Sequence, residues 1–294
     1  MSGTDAGAHE GILERPGEPD LFWRLHPAAD GKPKALLFFV HGLAEHFGRY
    51  GFPVDYFTAR GYACAGLDLR GHGRSTGLRA HVDRFDGYLD DVDAARRHVA
   101  ALLAEQGHED LPTILVGHSM GGVVATLYAH KYGADLQGLV LSSPGFAAHP
   151  DSAPSFFIEL LGKIASKLLP KLLFPTDLDP TFVCRDPAVV EAYRQDPLVT
   201  SKVSARWFTE FLAAQARSFQ AAETEGAFSM PILAMQSEAD RLVDPAATAR
   251  FAALVGPEGC RFNGWPGLFH EMFNEPERND VFQFLETWLD DVLP

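Results

Sequence analysis

Short apolar runs alternate with longer amphipathic stretches along most of this chain. Ala35 to Val40, Tyr62 to Leu67, Thr113 to Val116, Leu139 to Leu141 and Ile232 to Met235 have the length and composition of buried strands. Between them, Leu89, Val92, Ala95, Val99 and Leu102 recur at helical spacing up to Gly107, and Val281, Leu285, Trp288 and Val292 repeat the pattern near the C-terminus. Each crossover is long enough for a helix, so the pattern predicts a mostly parallel central sheet flanked by helices, an α/β fold.

The strand pattern stops between Pro144 and Gly226. This stretch reads as helices over Ser155 to Leu169, Pro187 to Arg194 and Val203 to Ala222. A helical insertion between parallel strands sits over their carboxyl ends, where ligands bind. The expected organisation is therefore a polar N-terminal extension over 1–20, a core over 21–145 and 227–294, and a helical cap, or lid, over 146–226. In the first cap helix Phe157, Leu161, Ile164 and Leu168 share one face, with Phe156 and Leu160 beside them and Lys163, Lys167 and Lys171 along another. Two readings stand: a helix packed on the core, or an interfacial helix making weak peripheral contact with a membrane.

Charge narrows the partners. Lys and Arg number 25 against 39 Asp and Glu, a net charge of −14, which repels phosphate backbones and sets nucleic acid aside. No apolar run approaches the roughly 18 residues of a membrane span. The first twenty residues lack the pattern of a signal peptide, so a cytoplasmic location is the expectation. Cys64, Cys184 and Cys260, odd in number and far apart, fit neither a disulfide framework nor a zinc site.

Gly117-His118-Ser119-Met120-Gly121 matches G-x-S-x-G, the signature of a serine held on a tight strand-to-helix turn. Composition alone yields roughly 0.1 such matches in a chain of this length, so context must carry the assignment. A second match, Gly73-Arg74-Ser75-Thr76-Gly77, lies in a Gly-rich loop with no helix starting at it, whereas Ser119 directly follows a strand and opens an apolar helix. A serine hydroxyl needs a general base and the base an orienting carboxylate, in the chain order Ser, acid, His. His270 is the one histidine beyond the last expected strands. Asp240 follows the strand ending at Met235, with Asp244 as the alternative acid, although Asp244-Pro245 reads better as a helix start. His41-Gly42-Leu43 follows the first strand, where the Leu43 N–H would form an oxyanion hole with the N–H of Met120.

From about Leu21 to Leu289 the chain resembles the monoacylglycerol lipase and lysophospholipase branch of the α/β-hydrolases. The specific stretch is His41-Gly42-Leu43-Ala44-Glu45-His46-Phe47-Gly48-Arg49-Tyr50, similar to HGxxEHxxRY, supported by Asp68 to Ser75, Gly117 to Gly122, Tyr193 to Leu198 and Ala239 to Asp244. The resemblance implies a Ser119, Asp240, His270 triad and a glycerol head-group pocket near Glu45, Arg49 and Tyr193. One departure is Met235-Gln-Ser-Glu-Ala-Asp240 in place of a Gly-rich turn, which puts Glu238 close to the expected acid.

The expected activity is hydrolysis of a lipid ester, foremost a monoacylglycerol, with a lysophospholipase, a short-chain carboxylesterase, a peptidase or a non-catalytic ligand-binding relative as alternatives. No H-E-x-x-H, P-loop or dinucleotide fingerprint occurs, and neither a metal nor an organic cofactor is expected. The oligomeric state is not legible.

Overall fold

The computed structural model describes residues 7–294 apart from 152, 154, 177 and 225, and leaves out the side chain of Phe156. Among the described residues ten strands form, β1 (His9–Leu13), β2 (Leu21–His26), β3 (Leu36–Val40), β4 (Ala63–Leu67), β5 (Thr113–His118), β6 (Gly138–Ser142), β7 (Leu173–Pro175), β8 (Lys202–Ser204), β9 (Ile232–Ser237) and β10 (Cys260–Trp265). Eight of them make one sheet in the order β1-β2-β4-β3-β5-β6-β9-β10. From β4 to β10 neighbouring strands run parallel, while β1 and β2 are antiparallel to their neighbours. With its flanking helices, this is the α/β-hydrolase fold.

The uninterrupted apolar character of β3 follows from burial on both faces. Leu36, Phe38 and Val40 pack with Val92, Val123 and Leu127, on the side of α2 (Asp86–Ala104) and α3 (Met120–Tyr132). Leu37 and Phe39 point the other way, toward Phe57 of α1 (Gly51–Thr58) and Phe282 of α8 (Arg278–Val292). The remaining helices are α4 (Phe156–Leu168), α5 (Pro187–Gln195), α6 (Ala205–Ala222) and α7 (Pro245–Val255). In the segment between β6 and β9, α4 packs on α6, and α6 packs on α3 and α7.

Two expectations need correction. His9–Leu13 lies inside the stretch read as a polar extension, yet it pairs along its whole length with β2; residues 1–6 of that stretch lie outside the described residues. It is a half-exposed edge strand, so it lacks the apolar run that reveals a central one. The strand pattern also does not stop in the insertion, where β7 and β8 form an antiparallel ribbon. Each has only three residues, too few for alternation to register. β10 was missed for the reason that hid β1: at the far edge, most of its side chains are exposed or half-buried.

Candidate active site

Parallel strands deliver their carboxyl ends to one edge of the sheet, and the candidate residues sit on the turns that leave it. Ser119 follows β5 at φ 53° and ψ −122°, a conformation that L-residues rarely adopt. The neighbouring backbone holds it there. The Ser119 N–H donates to Ser142 O at 3.1 Å, and its carbonyl accepts from Gly122 N at 2.9 Å and Gly145 N at 2.8 Å. A Cβ on Gly121 would stand 2.1 Å from Val40 O, so only glycine lets α3 approach β3 this closely. Ser75 is consumed by structure: it is buried, its hydroxyl donates to Asp68 O and accepts from Phe22 N.

His270 and Asp240 meet in a buried hydrogen bond, Nδ1 to Oδ2, of 2.7 Å. The other Asp240 oxygen accepts from Leu242 N at 2.8 Å and Val243 N at 3.0 Å, which fixes the carboxylate in place. Gln236 braces it from behind, with Nε2 3.4 Å from Oδ2 and Oε1 accepting from Thr248. Asp244 is instead the N-cap of α7, accepting from Ala246 N, and Glu238 is exposed with its carboxylate over Gly264. With Nδ1–H donated to Asp240, Nε2 of His270 is left as the proton acceptor. Burial opposes an imidazolium, but the Asp240 charge and hydrogen bond, reinforced by Glu271 and Glu45, hold the His270 pKa above the ordinary histidine value. Its neighbour His118, 4.7 Å away between ring centroids, is pushed well below that value by burial and by His270 itself.

Ser119 and His270 line a common cavity of about 500 Å³ together with Leu43, Met120, Glu45 and Tyr193. The Ser119 hydroxyl has no hydrogen bond among the described residues, and neither do the backbone N–H groups of Leu43 and Met120. One wall is apolar, with Trp207, Phe208, Phe211 and Leu212 of α6 and Val243. Glu45, Tyr193 and Glu271 bring polar and charged groups into the same lining. Burial, followed by the nearby Glu271, pushes the Glu45 carboxyl up to about 7.

Arg49 does not line this cavity. It lies one layer behind, where its Nη2 binds both oxygens of Glu271 at 2.9 and 2.7 Å and its guanidinium stacks 4.6 Å from the Tyr193 ring centre. Glu271 went unrecognised in the sequence, though it lines the cavity and adjoins His270 in the chain. The other histidines of these loops brace their surroundings: His41 contacts Gly42 O and Leu69 N, while His46 accepts from Gly48 N at 3.2 Å and pairs with Asp196 at 2.8 Å. Among the described residues no cluster of His, Cys, Asp and Glu has an arrangement that could hold a metal ion. The three cysteines are free and buried.

Residues 31–277 match the family described as serine aminopeptidase S33. The chain is 33% identical to a monoacylglycerol lipase of Mycolicibacterium smegmatis over 88% of its length and 89% of the relative's. It is also 33% identical to a phospholipase of Bacillus subtilis, over 89% and 97% of the two chains. Human monoglyceride lipase is 31% identical over 88% of this chain and 83% of its own. Among solved structures, the monoacylglycerol lipase of Paleococcus ferrophilus superposes with a TM-score of 0.79 at 26% identity, covering 92% of this chain and 98% of that one. The chain belongs to the serine aminopeptidase S33 family of α/β-hydrolases and is a serine ester hydrolase of its monoacylglycerol lipase-like branch.

Proposed function

We propose that this enzyme hydrolyses esters of single-chain lipids, foremost monoacylglycerols, through an acyl-enzyme on Ser119. The observation that carries the reading is the buried Asp240–His270 pair, whose free Nε2 belongs to the same cavity as the strained Ser119. Ser119 Oγ attacks the ester carbonyl while His270 Nε2 takes its proton. The Leu43 and Met120 N–H groups receive the charge that develops on the carbonyl oxygen. As the carbon–oxygen bond to glycerol breaks, His270 returns the proton to the leaving alkoxide. Water, deprotonated by the same nitrogen, then attacks the acyl-serine; as the bond to Oγ breaks, His270 passes that proton to Ser119 and the fatty acid is released. These steps use only protein groups and water.

The apolar and the polar parts of the lining suit the two parts of such a substrate. The α6 aromatic wall takes the acyl chain, and Glu45 and Tyr193, with Arg49 behind them, form the head-group end. A kinetic profile over a monoacylglycerol, a lysophospholipid, a short p-nitrophenyl ester and an aminoacyl arylamide tests the assignment. The highest kcat/KM is expected on the monoacylglycerol. Preference for the lysophospholipid would move the enzyme to the sister activity, and preference for the arylamide would defeat the lipid reading.

The cap over 146–226 is proposed to admit this substrate from a lipid surface, which gives the protein a peripheral place at a membrane. The supporting observation is exposure. On α4, Phe157 is 74%, Leu161 65% and Leu168 74% accessible, and Leu169 and Leu172 extend the patch. Lys163, Lys167 and Lys171 flank it, and each adds roughly 1 kcal/mol on an anionic surface. No helix among the described residues is long and apolar enough to cross a membrane, so any such contact is made from one side. In liposome flotation, wild type should rise with anionic vesicles, while Leu161→Glu/Leu168→Glu and the triple Lys-to-Glu variant at 163, 167 and 171 should stay behind. Equal flotation of all three sinks the idea.

A further inference from the structure

We infer that Glu45 is a positioning residue for the oxyanion hole, fixing the turn that aims the Leu43 N–H at the reacting carbonyl oxygen. The inference rests on the proposed ester hydrolysis at Ser119 and gives Glu45 a task distinct from lining the head-group end.

The Leu43 N–H and the Gly42 carbonyl belong to one planar trans peptide, so holding the oxygen at one end directs the N–H away from it. His41 holds that oxygen. Its Nε2 accepts from Leu69 N at 2.9 Å, which leaves Nδ1 as the donor to Gly42 O at 2.7 Å. The peptide on the other side of Gly42 is held by Glu45, whose Oε1 accepts the Gly42 N–H in a short hydrogen bond. Both torsions of Gly42 are thereby set, one by each residue.

Three further observations place the carboxylate in this task. A Cβ on Gly42 would stand 2.8 Å from Glu45 Oε1 and 2.9 Å from Ser119 Cβ, so the turn, the carboxylate and the nucleophile are packed against one another. Ala44, the residue that brings Glu45 back over the turn, sits at φ 59°, a left-handed conformation that persists in a non-glycine residue only where its surroundings enforce it. Tyr50 donates to the same Oε1 at 3.0 Å and fixes the carboxylate in turn.

Arg49 competes little for Glu45. Its Nη2 is engaged with Glu271, and its Nε, 3.8 Å from Glu45 Oε2, is buried without a hydrogen-bond partner among the described residues. The strong bonds of Glu45 therefore run to the turn and to Tyr50. The Leu43 N–H that the turn presents has no acceptor among the described residues, and both Leu43 and Glu45 line the cavity that holds Ser119.

A head-group contact and a positioning role separate on a pair of substrates that share an acyl chain: a monoacylglycerol and a p-nitrophenyl ester, which has no glycerol. If Glu45 positions the oxyanion donor, Glu45→Ala lowers kcat on both substrates by a similar factor, on the order of 10², with little change in KM. Glu45→Gln keeps an acceptor for Gly42 N–H and Tyr50 O–H and should recover most of the loss. Tyr50→Phe, which frees the carboxylate without removing it, should lower kcat on both substrates by a smaller factor, and it stands in if Glu45→Ala does not fold. A loss confined to the monoacylglycerol and expressed in KM overturns the inference, as does unchanged kcat in folded Glu45→Ala. Ser119→Ala run in parallel keeps the two levels apart: retained turnover there removes the hydrolase reading itself, whereas a dead Ser119→Ala beside a fully active Glu45→Ala removes only this role.

Discussion

Replacing Ser119 with alanine is expected to lower turnover of a short p-nitrophenyl ester by about 10⁴-fold or more and to leave the thermal midpoint nearly unchanged. The first half follows from the proposed acyl-enzyme: without Oγ no covalent intermediate forms, and only the oxyanion donors and binding remain. The second half follows from the backbone. Alanine at φ 53° carries the strain that serine already carries, and the Ser119 hydroxyl has no hydrogen bond among the described residues whose loss would be felt. Steady-state kinetics, thermal melts and fluorophosphonate labelling of both proteins measure the two halves. Wild type should label at Ser119 and the variant should not; turnover surviving in contaminant-free Ser119→Ala would end the assignment.

Asp240→Asn should cost about 10³- to 10⁴-fold in kcat, with a characteristic change in pH dependence. Asparagine can still accept from Leu242 N and Val243 N, so the loop keeps its anchor. It cannot hold His270 as the Nδ1–H tautomer with the same bias, and it no longer stabilises the imidazolium formed after proton transfer. The base must be neutral to act, so the acid limb of the rate profile follows the His270 pKa, which stands above the ordinary value because Asp240 outweighs burial. With the charge removed, burial prevails and the limb should move to lower pH.

Stability carries the same sign. A histidine whose pKa is raised on folding contributes stability that is fully present below its unfolded pKa of about 6.5 and is lost as pH rises through the folded value. Asp240→Asn should therefore destabilise the protein more at pH 5.5 than at pH 8.5 in denaturant titrations. Equal losses at the two pH values would mean that the pair is not linked to folding in this way.

What was legible in the sequence was local chemistry. Asp244-Pro245 announces a helix start, and Asp244 does cap α7. The central strands β3, β5, β6 and β9 show themselves as apolar runs because they are covered on both faces. Ser75 and Ser119 share a motif, and only the strand before one and the absence of a helix after the other separates them. The edge strands β1 and β10 escaped notice because exposure on one side erases the apolar signal, and the antiparallel direction of β2 against β4 is set by a pairing partner far along the chain.

The site divides along the same line. The order of serine, acid and histidine, and the glycines that let strand and helix touch, are properties of short segments, so the residues themselves were enough to nominate Ser119, Asp240 and His270. Which buried charges meet was decided only in three dimensions. Glu271 accepts two hydrogen bonds from Arg49, 222 positions away in the chain. A carboxylate shielded from water must find a donor wherever the packed chain brings one, and periodicity carries no information about that meeting. Backbone geometry over a few residues was thus written in the sequence, while the electrostatic partnerships that shape the cavity were settled by the packing of distant turns at one edge of the sheet.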